Sequence, residues 1–229
     1  MLKDHQKRVR RIEVFTGLLF ILLSLSYIAS LLLDFKFVSL YATPQEDLAY
    51  LSEHVGNQGI SSCAWMITSF LTLLSLPFYI LVLWRHVKVL PLLNTLFILG
   101  AAAGFFLMAR TGLDLRREMM VVLEEGLETS HEQLVASLME QFRLEQFYRH
   151  IGSSCVGLFA VGLGAGKVWL RRIPLLSAIL LILSGPVLVV FNWMEPDHLA
   201  HTAAMAGVII GMALFCIRLI NKGLGTKET

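Results

Sequence analysis

The stretch VFTGLLFILLSLSYIASLLL, Val14–Leu33, runs its whole length without a charged residue. An α-helix rises 1.5 Å per residue, so about 20 such residues cross a hydrocarbon core about 30 Å thick. Five more stretches read the same way: Ser62–Leu83, Val89–Met108, Ile151–Gly166, Ile173–Val190 and Leu199–Leu219. The fourth is the shortest, and it is expected to gain length from the residues before it. Six membrane-spanning helices in one domain over residues 1–229 follow, an all-α bundle.

Composition agrees. Of 229 residues, 56% are hydrophobic and 16% charged, with a mean hydropathy of +0.68. A soluble domain carries about 25% charged residues, enough to coat its surface. Here lipid has to solvate much of the chain, and no nucleic-acid partner is expected.

Lysine and arginine give the expected orientation, because the loops richest in them stay cytoplasmic. With the N-terminus inside, the inner segments hold 13 of the 19 basic residues and only Asp4, Glu13 and Glu228 among the 17 acids. Both termini are then expected in the cytoplasm. The basic N-terminus followed by an apolar run imitates a signal peptide. That run exceeds the 7–15 residues of a cleaved signal and no small-x-small site follows, so it reads as the first span. Cys63, Cys155 and Cys216 all fall within spans and read as small apolar residues; a Cys63–Cys155 bridge is the alternative.

The soluble mass lies on the outer side. In the first outer loop Thr43 can cap a helix that has Pro44 at its first position and acids in its first turn. This suggests a short surface helix near Pro44–His54. The segment 110–150 contains no proline and two glycines, Gly112 and Gly126. Leu134, Leu138 and Phe142 recur at helical spacing, and Ser130 with Gln133 fits a capping box. An extracytoplasmic helical hairpin is expected, the third helix continuing to about Glu125 and a new one starting near His131. Within the membrane, Gly162-x-x-x-Gly166 and Gly207-x-x-x-Gly211 mark close helix contacts and suggest that spans four and six pair. Pro77 and Pro186 are expected to kink spans two and five. The spans are almost free of charge, which disfavours an ion pathway.

Three functional readings arise. On this orientation 14 of the 17 acids, five of the seven histidines and the hairpin lie on the outer side. That concentration suggests a ligand- or partner-binding membrane subunit acting through an acidic extracytoplasmic face, with lipid around it and a protein partner at the hairpin. The second reading is a metal site. Asp197 can cap the sixth helix, placing His198 and His201 on one face, and His150 can supply a further imidazole for a divalent ion such as zinc. The third is hydrolysis by a serine with a histidine base: Ser154 opens span four and His201 opens span six.

The segment Gly152-Ser153-Ser154-Cys155, with Ala200-His201 and the glycines that follow, resembles the rhomboid intramembrane proteases. That resemblance implies Ser154 as nucleophile and His201 as its base. Cys155 stands where the family has glycine, and His54 and Asn57 precede span two instead of lying in it. A broader resemblance rests on Arg11–Leu33 with Ala42-Thr43-Pro44, on Leu83-Trp84-Arg85, and on Lys167-Val168-Trp169-Leu170-Arg171-Arg172-Ile173-Pro174. These look like a bacterial and archaeal family of six-helix integral membrane proteins of unknown function, which implies the architecture and no catalytic residues.

Overall fold

A computed structural model describes residues 2–33, 44–83, 89–125, 131–166, 173–194 and 199–224. The described residues form six α-helices: α1 (Leu2–Leu32), α2 (Pro44–Leu83), α3 (Val89–Glu125), α4 (His131–Ala165), α5 (Leu175–Met194) and α6 (Leu199–Leu224). Five of them, all but α4, are long and apolar enough to cross a membrane. The protein is thus all-α and built for multiple membrane passes. Large apolar side chains such as Leu22, Phe70, Leu183 and Ile210 point outward around it, a surface that suits lipid and would aggregate in water.

Each helix packs on its neighbours in sequence, and α6 closes on α1, so the six form a ring. At four of these seams glycine lets the helices approach closely. The Gly104 Cα faces the Gly152 backbone so closely that a Cβ at 104 would lie 2.7 Å from the Gly152 nitrogen, which brings α3 against α4. Gly157 and Gly185 face each other's carbonyls between α4 and α5. Gly207 and Gly211 on α6 receive Ser184, Leu181 and the Ser177 carbonyl of α5, and Ser177 Oγ donates to the Gly211 carbonyl at 2.7 Å. Gly17 and Gly223 close α1 on α6, beside an ion pair of Glu13 with Lys222 at 3.2 Å. The α1–α2 seam is hydroxyl-based instead: Ser26 and Ser30 both hydrogen-bond Thr68 Oγ1, at 2.7 and 2.8 Å. Without a hydrophobic force between helices in lipid, close backbone approach and hydrogen bonds of this kind hold a bundle together.

Two expectations are corrected here. The small-residue motifs of α4 and α6 do not pair those helices. Gly162 receives the Asn94 side chain of α3, Gly207 and Gly211 face α5, and α5 separates most of α4 from α6. A small residue marks close approach and carries no label for the partner. The expected surface helix near Pro44–His54 is not a separate element: α2 runs unbroken from Pro44 to Leu83, passing Gly56 and Gly59, and also Pro77. The α5 helix likewise continues through Pro186.

The helix limits expected here agree with the structure, since α3 reaches Glu125 and α4 starts at His131. At 1.5 Å per residue α2, α3 and α4 are about 60, 56 and 53 Å long, well beyond a bilayer core. Three helices, not two, therefore extend past the end of the bundle where α3 turns into α4, called here the hairpin end. Leu115, Met119, Val122 and Leu138 are fully buried in the extension. Glu118 of α3 accepts hydrogen bonds from Ser137 and Gln141 of α4. Gln58 of α2 donates to both carboxyl oxygens of Glu145, at 3.1 and 2.9 Å, and both residues are at most 4% exposed.

Inside the ring two aromatic clusters stack along the axis. One contains Phe20, Tyr79, Phe159 and Phe215. The other, nearer the hairpin end, contains Tyr27, Trp65 and Phe105, with Trp65 and Phe105 centroids 4.9 Å apart. Between them lies a cavity of about 70 Å³ with walls from α1, α2, α3, α4 and α6. The hydroxyls at its edge, Ser24, Thr72 and Ser75, are turned back onto their own helix carbonyls, so the cavity wall is apolar.

Candidate functional site

At the hairpin end, one turn of α4 meets the last turn of α5. Asn192 is the centre of the contact and is 1% exposed. Its Nδ2 donates to the His150 carbonyl at 2.8 Å and to Ser154 Oγ at 3.0 Å. His150 Nδ1 donates to Asn192 Oδ1 at 3.3 Å. Trp193 Nε1 donates to Ser154 Oγ at 2.8 Å, and the Trp193 ring lies against His150 and edge-on to Phe147. The indole is exposed, as suits a ring with one apolar face and one polar edge at a membrane boundary.

Burial lowers the pKa of His150 below the usual histidine value; the Asn192 bond opposes this and the nearby Arg149 charge adds to it. The imidazole is thereby biased to the neutral form, which is the form that uses one nitrogen as donor to Asn192.

The structure brings His150 and Ser154 together through Asn192. The Ser154 hydroxyl oxygen accepts from two α5 donors, and among the described residues its hydrogen bonds run to α5. His201 is buried in the first turn of α6. Asp197 and His198 lie outside the described residues. Among the described residues no group of three His, Cys, Asp or Glu side chains could hold a metal ion. Cys63 and Cys155 are both free thiols.

Sequence reasoning missed Asn192 and Trp193 as the partners of Ser154, and Gln58 as the partner of Glu145. Asn192 carried the one available signal, an amide at the end of an apolar run, where a buried polar group needs a neighbour to satisfy it. Gln58 carried none, because its role depends on which helices adjoin.

Comparison with protein-family models, with curated proteins and with solved structures finds no match.

Proposed function

We propose that the protein is a non-enzymatic membrane subunit that binds a protein partner through the extended hairpin end, in the cytoplasmic membrane of a bacterium or archaeon, with both termini cytoplasmic. In this reading α4 also crosses the bilayer. Residues 152–162 of α4 lie beside 94–104 of α3, well inside a span candidate, as the Gly104–Gly152 and Asn94–Gly162 contacts require. The positive-inside rule supports the orientation.

The observation that carries the binding reading is the construction of the extension. Its buried Glu145 and Gln58 and its half-buried Glu118 are hydrogen-bonded between neighbouring helices. The extension exposes Met120 and Val121, each about two-fifths accessible, which in this reading lie beyond the bilayer core. An ordered surface with solvent-facing apolar groups fits protein recognition. The acidic character of this face is less than the sequence suggested, because Glu118 and Glu145 point inward.

The test is a photo-crosslinking side chain at Val121 in native membranes, with Leu96 on the apolar flank as control. A discrete protein adduct at 121 and only lipid adducts at 96 is expected. Lipid adducts alone at both positions would refute the reading.

A further inference from the structure

Between the hairpin-end portions of α2 and α3, beside the end of α1, lies an open groove of about 490 Å³. Its floor is one face of α2: Gly56, Gly59, Ile60, Cys63, Ala64 and Ile67. These positions extend about 16 Å along the helix. Ile60 and Ile67 are more than half exposed, so the groove opens sideways toward lipid. At its upper end sits Arg116 of α3. A Cβ at Gly59 would lie 2.7 Å from both Cδ and Nε of Arg116, so the missing side chain at 59 is what lets the arginine stem lie across α2.

Arg116 Nε is buried and has no hydrogen-bond partner, and among the described residues no carboxylate pairs with the guanidinium. A cation held at the edge of a hydrocarbon region without a counter-charge is costly. The arrangement has the polarity of a phospholipid: charge at the level where the apolar run of α2 begins, then an apolar channel leading toward the bilayer centre. A guanidinium presents a planar fork of donors that fits phosphate oxygens.

We propose that this groove binds an anionic phospholipid of the leaflet on the hairpin side, its phosphodiester on Arg116 and an acyl chain along Ile60, Cys63 and Ile67. The site is separate from the proposed protein-binding platform and stands or falls independently of it.

The full chain in detergent is tested by native mass spectrometry with dioleoyl phosphatidylglycerol, dioleoyl phosphatidylcholine and inorganic phosphate. Wild type is expected to retain the anionic lipid about tenfold better than the zwitterionic one and to take up no phosphate. Arg116→Gln and Gly59→Leu are expected to abolish the preference, while Arg117→Gln, which removes an exposed charge from the same helix turn, leaves it. No preference in wild type, an equal loss in Arg117→Gln, or competition by phosphate alone would overturn the site. A second readout needs no variant. Cys63 is an exposed free thiol in the groove, and phosphatidylglycerol is expected to slow its alkylation by N-ethylmaleimide several-fold relative to phosphatidylcholine. An unchanged rate would also overturn the proposal.

Discussion

Replacing Gln58 by Leu removes both hydrogen bonds to Glu145, at 3.1 and 2.9 Å, while leaving the carboxyl group 4% exposed between α2, α3 and α4. Hydrogen bonds to a charged group contribute roughly 1.5–3 kcal/mol, and an abandoned buried acceptor loses at least as much again in uncompensated desolvation. Gln58→Leu should therefore cost about 3 kcal/mol. Glu145→Leu should cost a similar amount, because it leaves the Gln58 amide buried without its acceptor. The double variant removes both polar groups and should cost much less than the sum. A coupling energy of about 2 kcal/mol is expected from the cycle. The assay is reversible unfolding in mixed micelles, followed by helix content for wild type, both single variants and the double variant. Additive single costs, with coupling under about 0.5 kcal/mol, would refute the claim that this pair ties α2 into the extension.

Gly104→Leu should abolish a monodisperse folded species on size exclusion, because the displaced atoms are Gly152 backbone and cannot rotate away; Gly56→Leu, with nothing within 4 Å of the added Cβ, should be tolerated. Ser154→Ala should destabilise by about 1 kcal/mol through the orphaned Asn192 and Trp193 donors. A fluorophosphonate should label wild type and Ser154→Ala equally; selective labelling of wild type would restore the hydrolase reading. For His150 the folded-state pKa lies below the unfolded value, so the unfolded chain binds more protons and stability falls as pH drops from about 7 through that interval. His150→Gln should flatten this pH dependence of unfolding; an unchanged slope would assign it to another group.

Much of the fold was legible because hydropathy is a local property. The apolar run at Val14–Leu33 and its counterparts locate the helices, and the proline-free segment 110–150 lets α3 and α4 continue past their apolar runs. The arrangement of helices was not legible. Gly207 and Gly211 advertise a close neighbour, and α5 and α4 were equally eligible until Ser184 and Leu181 were seen to fill the gap. The expected surface helix near Pro44–His54 runs on into a span through Gly56 and Gly59, although glycine weakens a helix. The helix persists there because Gln58 is anchored to Glu145 and the Arg116 stem covers Gly59. Ser154 lies in α4 and His201 in the first turn of α6. The α5 residues Asn192 and Trp193, which hydrogen-bond Ser154, carry no sequence label that names their partner.

The six-span account with an extracytoplasmic hairpin rests most heavily on α4 crossing the membrane, and labelling of single cysteines addresses that directly. In a variant with Cys63, Cys155 and Cys216 replaced by alanine, Glu128→Cys precedes α4 and Lys167→Cys follows it. In intact cells a membrane-impermeant maleimide should modify Cys at 128 promptly and Cys at 167 only after permeabilisation. Equal labelling of both positions in intact cells would place the two ends of α4 on one side and contradict the account.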